Sequence, residues 1–129
     1  MIRNPVMALI LSAVLHAGPG SLPVRAGEAD VVSVRVEAGG SGTYTFHVTV
    51  RHADEGWNHY ADKWQVVGPD GTVLGERVLA HPHVSEQPFT RSQSGIRIPD
   101  AVEEVTVRAH DSVHRWGGRT MTVPLKGRF

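Results

Sequence analysis

The stretch YTFHVTVR, residues 44–51, decides the fold. Tyr44, Phe46, Val48 and Val50 alternate with Thr45, His47, Thr49 and Arg51. Strict alternation with period two is the signature of a β-strand with one apolar and one wet face. On that pattern His47 sits mid-strand on the polar face and is solvated. The same rhythm continues in both directions. Upstream, Val32, Val34 and Val36 alternate with Ser33, Arg35 and Glu37, and Gly39-Gly40-Ser41-Gly42 turns the chain. Downstream, residues 64–67 and 73–79 flank Pro69-Asp70-Gly71-Thr72, where proline fixes φ and glycine is free to take a positive one. Residues 89–98 form a weaker strand closed by Pro99-Asp100. Val105, Val107 and Ala109 alternate with Thr106, Arg108 and His110, Gly117-Gly118 marks the last loop, and residues 119–125 form the final strand.

Seven short strands without a helical pattern predict an all-β protein, a seven-stranded antiparallel immunoglobulin-like β-sandwich. It occupies residues 27–129, with a frayed tail from Lys126 to Phe129. Residues 1–26 read as a signal peptide: Arg3 precedes the apolar run VMALILSAVLHA (6–17), and Val24-Arg25-Ala26 offers small or aliphatic residues to a signal peptidase, with cleavage after Ala26. The apolar run is shorter than the roughly 20 residues a membrane-spanning helix needs. The expected protein is therefore periplasmic or secreted, without a membrane span in its mature chain.

Removing Arg3 and Arg25 with the leader leaves an excess of two acidic residues over basic ones, from an even 13 of each. Nucleic acid is a poor expectation for such a chain, because phosphate contacts need clustered Lys and Arg. The sequence contains no cysteine, so neither disulfides nor thiolate ligands are available. A thioether-rich copper(I) site is excluded too, because Met121 is the single methionine after residue 26.

Following chain direction through the strands brings six of the eight histidines to one end of the sandwich: His52, His59, His81, His83, His110 and His114. Four separate segments supply them. Loops on a rigid sandwich are a good platform for converging side chains, and imidazole is the commonest metal ligand. His81-x-His83 in extended backbone puts both rings on one face. Asp54, Glu55, Asp62, Glu86 and Asp111 are the oxygen donors at hand. The candidate ligand set is His52, His59, His81, His83, His110, Asp111 and His114, for a single transition-metal ion such as iron, zinc or copper; with no sulfur donor, nickel would also suit. Two other readings use the same segments. Trp57, Tyr60 and Trp116 form an aromatic patch for a protein partner in a non-enzymatic interaction module, or they simply cap the core.

At these loops the sequence resembles the iron-binding domain of superoxide reductases, the desulfoferrodoxin family. That family's first ligand loop reads roughly His-Pro-Met-x-x-x-His-Tyr-Ile-x-Trp; here residues 52–64 run HADEGWNHYADKW, similar in the order His52, His59-Tyr60, Trp64 but with one extra residue in each interval and no Pro-Met. The second loop reads Cys-Asn-x-His-Gly-x-Trp; here Asp111-Ser112-Val113-His114-Arg115-Trp116 keeps the interval to histidine and places the tryptophan one residue closer. The Asp70-Gly71 turn and Phe89 also fit, so the likeness covers residues 48–116. It implies an immunoglobulin-like sandwich and an iron held by His52, His59 and His114, with Asp111 at the position of the axial cysteine. A carboxylate there is a harder and weaker donor than thiolate, which counts against superoxide reduction.

Other chemistries find little. There is no Gly-x-Ser-x-Gly, Ser92, Ser94 and Ser112 have no nucleophile context, Glu103-Glu104 reads as a solvated loop, and Gly39-Gly40-Ser41-Gly42 lacks the following Lys-Ser/Thr and helix of a phosphate cradle.

Overall fold

The computed structural model describes residues 27–125; the expected leader and the tail from Lys126 lie outside the described residues. Seven strands follow one another: β1 (Asp30–Gly40), β2 (Thr43–Arg51), β3 (Ala61–Val67), β4 (Val73–Val78), β5 (Phe89–Arg97), β6 (Glu104–Asp111) and β7 (Met121–Pro124). No helix occurs among the described residues, and none is long and apolar enough to cross a membrane. One sheet has the order β1-β2-β5 and the other β4-β3-β6-β7, with every pairing antiparallel. This is the expected immunoglobulin-like sandwich, its fourth strand joined to the second sheet.

The core lies between the sheets. Val34, Val36, Phe46, Val48 and Val50 from one meet Trp64, Val66, Val105, Val107 and Val123 from the other. The alternation in β2 is realised over its whole length, with Tyr44, Phe46, Val48 and Val50 buried. In β1 it fails at one end. A shift in register between Val31 and Ser33 turns Val31 inward and leaves Val32 half-buried, opposite to the sequence expectation. A bulge inserts one residue, and one residue reverses the face of everything before it. The Pro69 turn closes as read, with Gly71 N–H bonded to the Gly68 carbonyl and Gly71 at φ 90°. The last strand is shorter than expected because Arg119 leaves it to pair with the start of β1 (Val31 N to Arg119 O, 2.8 Å).

His47 is not a freely solvated side chain. Its Nδ1 lies 2.6 Å from Ser92 Oγ across the β2–β5 pair, and Glu37 Oε1 lies 3.3 Å from Nε2 on the other side. The three form a cross-strand row on the open face of the first sheet, of the kind that stabilises neighbouring strands.

Candidate metal centre

Two inward-facing strand rows end in polar residues, and the turn ahead of β3 supplies a third. In β2 the row Phe46, Val48, Val50 continues to His52, which is fully buried. In β6 the row Val105, Val107, Ala109 ends in Asp111, also fully buried. Ahead of β3, His59 precedes buried Ala61 by two residues and is itself buried. Period two thus delivers the His52 imidazole and the Asp111 carboxylate to the same end of the core, and the turn closed by His59 N–H to the Gly56 carbonyl adds the second imidazole.

They converge on one atom. Asp111 Oδ2 lies 2.8 Å from His52 Nε2 and 3.0 Å from His59 Nε2. His114 Nδ1 approaches the same oxygen at 3.3 Å from the half-exposed rim. The ligand atoms of His52, His59 and Asp111 all lie within 4.8 Å of one another. The other oxygen, Asp111 Oδ1, accepts the backbone N–H groups of Val113 (2.6 Å) and His114 (2.7 Å), which fixes the carboxylate and curls the loop around it.

Each ring is held from behind by its own acid. His52 Nδ1 lies 2.5 Å from Asp54 Oδ1, and His59 Nδ1 lies 2.8 Å from Glu55 Oε1. A carboxylate at Nδ1 fixes that nitrogen as the protonated one and leaves Nε2 to face the centre, the arrangement seen behind metal-bound histidines. Asp54 is itself locked, its Oδ1 accepting Ala61 N–H (3.1 Å) and its Oδ2 accepting His83 N–H (2.7 Å). Gln87 Oε1 accepts the His52 backbone N–H at 2.9 Å. A further acceptor, the Gly27 carbonyl oxygen, lies 2.9 Å from His52 Nε2.

The electrostatics follow from this crowding. Burial pushes the Asp111 carboxyl up, but the backbone N–H groups of His114 and Val113 and the side chains of His114 and His59 outweigh it and bring it down to about 2. Burial disfavours charge on His52 as well, yet the Asp54 hydrogen bond and the charges of Asp111 and Asp54 raise it above its usual value. His59 is raised in the same way, with Glu55 and Asp111 overcoming burial. Asp54 is lowered despite burial, chiefly by the His52 bond. The carboxylates thus outweigh burial and favour positive charge on the rings between them.

Of the seven expected ligands, the structure brings together His52, His59, Asp111 and His114. His110 does not join them. It follows Ala109 by one residue, points to the outer face of its sheet, and places Nδ1 2.6 Å from Asp62 Oδ1. His81 is exposed, and its Nδ1 contacts only the Pro82 carbonyl, at 3.3 Å. His83 is buried, but its ring stacks on Phe89 at 3.9 Å and its Nε2 faces Arg91 Nη2 at 3.0 Å, a cation where a metal would have to sit. The aromatic patch divides as well. Trp57 packs edge-on to Tyr60 at 5.6 Å, whereas Trp116 lies against His110 and under the Arg108 guanidinium at 4.1 Å, on the outer face of the second sheet. Asp54 and Glu55 act behind the rings instead of as ligands. The Gly27 carbonyl carried no side-chain signal at all; Gly117-Gly118, which makes room for the segment leading to it, was the one trace.

A protein of Halomicrobium mukohataei named "Putative lipoprotein" is 45% identical to this chain over 96 residues, which make up 74% of the chain and 47% of that protein. The chain therefore spans about half the length of this relative. No family model matches the chain, and no solved structure does.

Proposed function

We propose that the chain is an exported metal-binding domain that holds one first-row transition-metal ion through His52, His59 and Asp111, with His114 at the rim. The observation that carries this reading is the pair of carboxylate-backed imidazoles, Asp54–His52 and Glu55–His59, whose Nε2 atoms meet on Asp111 Oδ2. With both rings neutral, three carboxylates surround the centre and a dication balances most of their charge. The nitrogen and oxygen donors suit zinc(II), copper(II), nickel(II) or iron(II). Iron with redox activity is the narrower version, supported by the resemblance of the same loops to superoxide reductases and weakened by Asp111 at the cysteine position. Metal handling is the broader role and the one we favour. Export is supported by the leader-like sequence and by the lipoprotein name of the relative.

The test is elemental analysis of the exported protein, purified without an affinity His tag, with thermal melts before and after chelation. About one equivalent of metal and a melt lowered by chelation is the expected result. No metal, and no change of melt on adding zinc, copper, nickel or anaerobic iron(II), overturns the reading. A second role as an interaction module rests on Trp57, which is 67% exposed at the loop end beside Tyr60. In that case Trp57→Ala abolishes binding of a partner whether or not metal is present.

A further inference from the structure

We propose that the new N-terminus created by export completes this metal site: hydrolysis of the Ala26–Gly27 bond leaves Gly27 to bind the ion through its α-amine and its own carbonyl oxygen. The proposal rests on the metal reading given above.

Geometry brings Gly27 here. Its carbonyl oxygen lies 2.9 Å from His52 Nε2, the same nitrogen that lies 2.8 Å from Asp111 Oδ2. With Nδ1 of that ring committed to Asp54, a neutral His52 presents a lone pair to two oxygen acceptors at once. A cation between them relieves this, and a backbone carbonyl is an ordinary oxygen ligand for one.

The segment is held in place and does not merely pass by. Ala29 is fully buried. Val31 N–H bonds to the Arg119 carbonyl, and Arg119 N–H bonds to Asp30 Oδ1 at 2.7 Å. Two glycines clear the path. A Cβ on Gly117 would come within 2.6 Å of Glu28 Cγ, and a Cβ on Gly118 would overlap the Ala29 carbonyl oxygen. Gly117-Gly118 therefore serves as a groove floor for residues 28–30, the three that carry Gly27 to His52.

The expected cleavage position supplies the chemistry. In the uncut chain, the Gly27 nitrogen is an amide whose lone pair is delocalised into the carbonyl of Ala26. Signal peptidase adds water across that bond: hydroxyl goes to the Ala26 carbonyl carbon, the proton goes to the Gly27 nitrogen, and the C–N bond breaks. The product nitrogen is an amine with a free lone pair. Amine and carbonyl oxygen of one residue close a five-membered chelate ring, and glycine adds no side chain to obstruct it. A donor set of two imidazoles, a carboxylate and this chelate favours copper(II) or zinc(II). The full set then exists only in processed protein, which places high-affinity metal loading after export.

The experiment compares two exported proteins, the natural sequence and a variant with one threonine inserted between Ala26 and Gly27. The insertion moves the amine by one residue and leaves every described contact intact. Intact mass establishes each N-terminus. Copper(II) and zinc(II) affinities are measured by competition with a chelator, and acylation of the α-amine is followed with and without metal. We expect the natural protein to begin at Gly27, to bind copper(II) at least tenfold more tightly than the variant, and to have its amine protected from acylation by metal. Equal affinities with equal labelling, or a mature protein that begins elsewhere, overturn the proposal and leave the His52–His59–Asp111 site standing. Failure of both proteins to bind either metal overturns the site itself.

Discussion

Two histidine pairs share one end of this sandwich, and only one of them has the surroundings of the metal site we propose. His52 and His59 sit seven residues apart, one at the end of a strand row and one ahead of the next. His81 and His83 sit two apart on a single loop. By spacing alone the second pair is the better candidate, and its rings do lie 4.8 Å apart. What separates the pairs is the company behind the rings. His52 and His59 each have a carboxylate at Nδ1 and share a third at Nε2. His83 has Arg91 at Nε2, and its buried Nδ1 has no hydrogen-bond partner among the described residues. Burial disfavours the charged ring in both places, and the neighbouring groups decide the outcome. At His83 the Arg91 and His81 charges add to burial and the pKa is lowered, while at His52 the acids outweigh burial and the pKa is raised. A count of imidazoles does not make a metal centre; the acids that orient and neutralise them do.

The largest expected effect breaks the first pair at its shared atom. Asp111 is fully buried and holds two backbone N–H groups as well as the rings. Asp111→Ala removes a buried charge from its partners and frees the loop N–H groups, which should cost roughly 3–5 kcal/mol in denaturant unfolding of the metal-free protein. Asp111→Asn keeps an acceptor for the loop but not the charge, so it should lose metal while keeping most of the stability. Equal stability of wild type and Asp111→Ala would reduce the carboxylate to a bystander. The same group makes an acid limb. Its folded pKa is lowered from 3.8 to about 2, so its contribution, about 2 kcal/mol, is present above pH 3.8 and is lost as pH falls through 2.

The fold was legible because β2 and β6 obey period two without interruption, and a sandwich follows from such strands once the turns are placed. The site was legible as a region and not as a ligand set. His110 and Asp111 are adjacent, and strand parity separates them: Asp111 continues the row Val105, Val107, Ala109, and His110 belongs to the wet face with Arg108. Applying that parity removes His110 from the ligands. Two features lay beyond any pattern. The bulge between Val31 and Ser33 leaves no mark in the alternation of β1, and the approach of Gly27 is a backbone contact across 25 residues, with no side chain to announce it.

The next effect sharpens the comparison by metal content. His52→Ala and His59→Ala should each reduce bound metal to under a tenth of an equivalent, whereas His81→Ala and His110→Ala should leave it near one. His114→Ala should fall between, because its ring stands 3.3 Å from Asp111 Oδ2 and half in solvent. Metal analysis on the folded variants decides this. Retention in His59→Ala, or loss in His81→Ala, would assign the ion to the wrong pair.

The smallest effect is the most direct, because it reads the two environments without any metal. In the metal-free protein, histidine proton shifts followed by NMR should show His52 and His59 titrating above the usual 6.5 and His83 below it. The stability consequences have opposite signs. A ring whose folded pKa is raised stabilises the fold below pH 6.5 and loses that contribution as pH rises through the folded value. A ring whose folded pKa is lowered costs stability as pH falls below 6.5, because the unfolded chain then takes up the proton first. Between the two, the metal-free domain should show a shallow stability maximum near neutral pH. Metal should move that maximum upward, since the ion binds Nε2 of neutral rings and must displace the protons that Asp111 otherwise holds there. Titration of all three rings at one common value would mean that the carboxylates behind His52 and His59 exert no hold, and the distinction between the pairs would fail at its source.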